Sequence, residues 1–175
     1  EFEELDKIKP IIKDCAKDNI VPILFTKDEL INSSDVFPLE LLDMIYPHEV
    51  LYGKDVLKEL KFEKKNVRKQ VEFELRSKMV HLRENYLMIK DRKGLNALLK
   101  SAVPTLMPLF YGLLFLKDKK IPEELSSLFS EVEKAYKIDL SVFKEIKENN
   151  IKDESIDIKR LMDILYELIN IVDKM

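Results

Sequence analysis

The stretch Asp35-Val36-Phe37-Pro38-Leu39-Glu40-Leu41-Leu42-Asp43-Met44-Ile45, with Leu51-Tyr52-Gly53 after it, sets a carboxylate in the middle of an apolar run. The run from Val36 to Ile45 reads as a strand, and Pro38 makes it an edge or bulged strand, because proline donates nothing to a ladder. An ionised Glu in a half-buried strand is costly unless it is paired, bound to a metal or turned to solvent. Glu40 is therefore either a functional group or a residue of an open face. Upstream, Ile20-Val21-Pro22-Ile23-Leu24-Phe25-Thr26 reads as a second short strand, with Thr26 as the N-cap of a helical turn over Lys27 to Ile31. Two strands do not make a stable sheet, so they call for neighbours from a preceding part of the protein or from a partner.

The remainder of the sequence is helical in pattern. Leu5, Ile8, Ile12 and Ala16 recur at helical spacing, and Pro10 suggests that the regular helix starts near it. Val67, Val71, Leu75, Met79, Leu82, Tyr86 and Ile89 step by three or four and mark a helix from about Glu63 to Lys90. Leu95 to Leu116 is apolar nearly all round, which places it centrally, with Pro104 and Pro108 as kinks. Leu125, Leu128, Phe129, Val132 and Tyr136 give the inward face of a helix begun at Pro122; Leu140 to Glu148 and a last helix from Asp153 onward complete the series. The expected fold is mainly α: a small α/β remnant of one helix and two short strands over residues 1–57, then an antiparallel bundle of four to five helices over residues 58–175.

Composition narrows the function classes. With 175 residues, 46% apolar and 36% charged, the chain has enough material for a core and is not disordered. A net charge of −3 with evenly mixed signs gives no bulk basic field, so nucleic acid is not an expected partner. Cys15 stands alone and the two histidines are far apart, which points to a reducing cytoplasm and to no Cys/His metal cluster. Ser101 to Leu116 is uncharged but shorter than the ~20 residues a membrane span needs, so it reads as a buried helix and no membrane is expected.

The segment Phe37-Pro38-Leu39-Glu40 with Leu51-Tyr52-Gly53 resembles part of the nucleotidyltransferase superfamily, the kanamycin nucleotidyltransferase and DNA polymerase beta type of fold. The resemblance covers roughly residues 1–57. It implies that Glu40 is the third of three carboxylates that hold Mg²⁺ for transfer from a nucleoside triphosphate, so Glu40 is the catalytic and metal-ligand candidate. The Gly-Ser loop and Asp-x-Asp pair of that family are absent: Gly53, Gly94 and Gly112 are not followed by Ser, and no two aspartates stand two positions apart. The expectation is a carboxyl-terminal portion of a longer nucleotidyltransferase-like protein, with the bundle binding substrate or partner. One carboxylate holds Mg²⁺ weakly, so this chain alone would be inactive, the ion and nucleotide belonging to the intact protein.

Other residues carry lesser signals. The stretch from Lys61 to Lys93 is locally basic, and Lys65, Arg68 and Lys69 are candidate phosphate-binding residues; interleaved Glu72, Glu74 and Glu84 give the plainer reading of a solvated helix. Arg76-Ser77-Lys78-Met79-Val80-His81 is similar to the Arg-x4-His spacing of the HEPN group of helical nucleases and nucleotide-binding bundles. That resemblance implies a pair formed by Arg76 and His81, although five helical steps leave them about 140° apart. Met107, Phe110, Tyr111 and Phe115 would line a cleft beside the proline kinks or form plain core. A noncatalytic module that forms a homodimer through the stripe of residues 67–89 or the last helix is the alternative from another class.

Overall fold

The structure, a computed structural model, describes residues 2–46, 48–122 and 124–175. The helices are α1 (Phe2–Lys17), α2 (Lys27–Asn32), α3 (Pro38–Ile45), α4 (Lys64–Met88), α5 (Arg92–Leu116), α6 (Leu125–Tyr136), α7 (Ser141–Lys147) and α8 (Glu154–Asp173), with a 3-10 turn at Leu57–Glu59. Among the described residues there is no strand, and this corrects the expected α/β remnant. Ile20 to Thr26 is irregular up to the cap of α2, and Val36 to Ile45 contains a helix. The physical reason lies in Pro38. At the first position of a helix its missing N–H costs nothing and its fixed φ suits the turn, so the residue that limits a strand starts α3 instead. Pro10, expected near a helix start, stands inside α1.

The core is built by α4, α5 and α8. Helix α5 packs on α4, α3, α6, α7 and α8, and α4 also packs on α3 and α8. Val67, Val71, Leu75, Met79 and Leu82 are the buried stripe of α4, as their spacing implies, so the face proposed for a homodimer is taken up by the protein's own core. On α5 the run from Leu109 to Leu114 is buried on every side. This helix is long and apolar enough to cross a membrane by length and composition, and half of its most apolar window lies inside the bundle. Phe110, Phe129 and Phe143 join α5, α6 and α7 through edge and stacked contacts with centroids 5.2–5.7 Å apart. The side chain of Leu125 lies outside the described residues; Leu128, Phe129, Val132 and Tyr136 face inward as expected.

Two polar clamps fix the periphery. The Arg160 guanidinium bonds Glu145 at 2.7 Å, Asp157 at 2.8 Å and Ser141 Oγ at 2.9 Å, tying α8 to α7. Asp153 caps α8 by accepting from the N–H groups of Ser155 and Ile156. On the other flank, α3 belongs to the bundle: Leu39 and Leu42 share one hydrophobic cluster with α4, α5 and α8, although they lie before residue 58.

The approach of α3 rests on Gly112. A Cβ built there would lie 2.3 Å from Leu39 Cδ2 and 2.8 Å from Val71 Cγ2, so hydrogen is the only substituent that leaves both side chains in place. Gly112→Ala sets about 1–3 kcal/mol of overpacking against about 1 kcal/mol of helix propensity. The expected result is a net loss of up to about 2 kcal/mol in denaturant unfolding, with faster amide exchange at Leu41 and Leu42 as α3 loosens.

Candidate functional site

Helix α3 buries Leu39, Leu41 and Leu42 and leaves Glu40 and Asp43, three residues apart, on its outer side. Facing them across a cleft of about 500 Å³ are Glu74 and Lys78 of α4, four residues apart and paired at 3.2 Å, with Thr105, Pro108 and Leu109 of α5 as the floor. The cleft therefore opens at the proline segment of α5, while Phe110 and Tyr111 are turned into the core. A smaller cleft of about 180 Å³ continues along the α4–α5 seam, where Lys78 and Thr105 are shared and His81, Asn85 and Ser101 follow.

Gln70 organises the acidic end. The N-cap position of α3 is Phe37, which has no side-chain acceptor. Gln70 of α4 supplies one from outside: its Oε1 accepts from the Leu39 N–H at 2.8 Å, and its Nε2 donates to Glu40 Oε2 at 2.6 Å. Glu40 thus lies in the first turn of α3, near the positive end of the helix dipole, held by a neutral amide. Burial first, and then the Glu40 charge, hold the Asp43 carboxyl above the ordinary carboxylate range. Burial and the Asp43 charge raise the Tyr111 phenol likewise.

This donor set does not suit a Mg²⁺ ion. Among the described residues no group of three or more His, Cys, Asp or Glu side chains is placed to hold a metal, and one oxygen of Glu40 is engaged by Gln70. The three phosphate candidates are divided. Lys65 and Arg68 line a cleft of about 400 Å³ with Lys64, Leu116 and Met175, which shares no residue with the Glu40 cleft, and Lys69 is not part of it. Arg68 Nη1 already donates to Glu72 at 3.0 Å and to the Val172 carbonyl at 3.3 Å.

Arg76 and His81 are not brought together. Arg76 donates to Glu72 at 3.0 Å and to Asp173 at 3.4 Å, toward the end of α8; His81 looks into the α4–α5 seam, with Nδ1 3.4 Å from Glu84. His48 bridges its own loop instead, from the Ile45 carbonyl at 2.9 Å to both Asp55 oxygens at 3.1 Å. Those two acceptors favour the protonated ring, and its pKa is raised by them.

Comparison with family models, with curated proteins and with solved structures found no match for this chain. The nucleotidyltransferase resemblance therefore rests on its quoted residues, and the strand that was to carry Glu40 is a helix. Gln70, Asp43, Glu74 and Lys78 are the site residues that the sequence did not single out. The i, i+4 pair Glu74 and Lys78 was visible in spacing, whereas a cap supplied from thirty-odd residues away leaves no local signal.

Gln70→Ala is expected to cost about 1 kcal/mol by loss of the cap and to speed exchange of the Leu39 amide. Glu40→Ala, at an exposed position, should stay within about 0.5 kcal/mol in the same unfolding measurement. For Asp43 the folded-state pKa lies above the unfolded value, so folding disfavours its charged form and the penalty grows as pH rises through the carboxylate range. Asp43→Asn should raise the melting temperature at neutral pH. The gain should vanish below about pH 4, where the unfolded carboxyl is also protonated.

Proposed function

We propose that this chain is a noncatalytic, partner-binding helical domain, and that its partner is another folded domain with an apolar surface. In the nucleotidyltransferase reading of the sequence that partner is the catalytic domain, to which the metal, the nucleotide and the chemistry belong. One observation supports the proposal: the loops before α2 and on either side of α3 hold large apolar side chains in solvent. Ile20, Val21, Ile23, Leu24 and Phe25 are exposed in a row, Val36 and Phe37 follow, and Leu51 and Tyr52 are 88% and 98% exposed. Single exposed apolar residues are ordinary, but a contiguous run without charge marks a surface that another molecule covers. The bundle from α3 to α8 meanwhile closes its own core, so the exposed run is additional to what the fold needs.

Val21→Asp with Leu51→Asp tests this reading. The double variant should unfold within about 0.5 kcal/mol of the parent, as surface substitutions do. A photo-reactive residue at Leu24 should yield one discrete adduct with a second polypeptide in cell extract, and the double variant should abolish it. A stability loss well above about 1 kcal/mol, or the same adducts from a photo-reactive residue at the exposed Asp163 of α8, would overturn the proposal.

A further inference from the structure

Helix α4 has a second face. Phe73, Val80 and Leu87 follow one another at intervals of seven residues, and they are 67%, 50% and 80% exposed. At 100° per residue they fall within an arc of about 40°, opposite the buried stripe. Beside this apolar line runs a basic one. Lys65, Lys69, Arg76 and Arg83 lie along an arc of similar width at its edge, and all four are exposed. Arg76 is shared with Glu72 and Asp173, whereas Lys65, Lys69 and Arg83 take part in no ion pair among the described residues. The other edge carries Asn66, Gln70, Ser77 and Glu84, a polar row with one acid.

We propose that this outward face of α4 docks an acidic amphipathic helix of a partner protein, with apolar residues at heptad spacing and carboxylates along one flank. The inference rests on the reading of the chain as a partner-binding domain and names a surface separate from the apolar segment before the bundle. Charge decides the occupant. A second copy packed antiparallel about a two-fold axis sets the basic row against its own image; packed parallel, it meets a row whose only acid is Glu84. An acidic helix instead meets three apolar anchors over about 21 Å of helix axis and places a carboxylate near each base. The apolar line has no use in contacts to nucleic-acid phosphates, and it separates this face from a purely electrostatic patch.

The test uses the whole purified chain and four probes: a labelled heptad peptide with leucine on its seam and glutamate on its flank, the same peptide with lysine for glutamate, single-stranded polyuridine, and vesicles containing phosphatidylserine. The glutamate peptide should bind, with amide shifts confined to residues 69–87 of α4, and added salt should weaken it. Lys69→Glu with Arg83→Glu, and separately Val80→Asp, should each weaken binding about tenfold with the melting curve unchanged. The Val21→Asp, Leu51→Asp variant should bind as the parent does, so that failure here and failure of the broader reading are told apart. Equal binding of the lysine peptide, binding by polyuridine or vesicles alone, or no binding to any probe would overturn the proposal.

Discussion

The contact of Leu39 with the bare backbone of Gly112 is what the rest of the arrangement depends on. With no Cβ on α5 at that position, α3 comes close enough to bury Leu39 and Leu42 in the same cluster as α4 and α5. That approach brings the start of α3 under Gln70, whose amide then satisfies the Leu39 N–H that Phe37 cannot reach. It also decides where the unburied side of α3 points. Glu40 and Asp43 share a cleft with Glu74 and Lys78 because the adjoining face of the helix, with Leu39 and Leu42, is committed to the bundle over Gly112. A packing constraint made of one missing methyl group thus sets the geometry of the acidic cleft.

The long helices were legible because their signal is periodic over many turns. Val67 to Leu82 keeps one face through four turns, and no strand can bury such a set on one side. The stretch from Pro38 to Ile45 was not legible in the same way. An eight-residue apolar run is compatible with a strand or a short buried helix, and Pro38 does not separate the two, since it is tolerated both on an edge strand and at a helix start. Leu39 and Leu42 one turn apart, with Glu40 and Asp43 one turn apart beside them, fit the helix. The site suffered more than the fold. Glu40 was visible as a carboxylate out of place, but its partner Gln70 and its neighbour Glu74 come from another helix, and nothing local in the sequence joins them.

The net charge of −3 conceals a segregation that only the fold reveals. Along α4 acids and bases alternate in sequence, which suggested a uniformly solvated helix. Wound at 3.6 residues per turn, the same residues separate: Glu74 faces the α3 cleft with Lys78, Arg68 and Arg76 pair with Glu72 and reach Val172 and Asp173 of α8, and Lys69 and Arg83 are left on the outward edge. The acidic cleft and the basic row lie on different sides of one helix. The net charge averages over that difference, whereas screening in water is short-ranged and each patch acts on what lies within about 10 Å of it.

The same winding bears on why the chain carries so much apolar surface without needing it. A core helix needs one apolar face, and α4 has that face in Val67 to Leu82. Phe73, Val80 and Leu87 contribute nothing to the core, and large apolar side chains held in water gain no burial energy from folding. The apolar run before the bundle has the same property. Neither set gains burial within this fold, so neither stabilises it. The cluster that holds the bundle together and the surfaces left exposed are, in this sense, two separate uses of one composition.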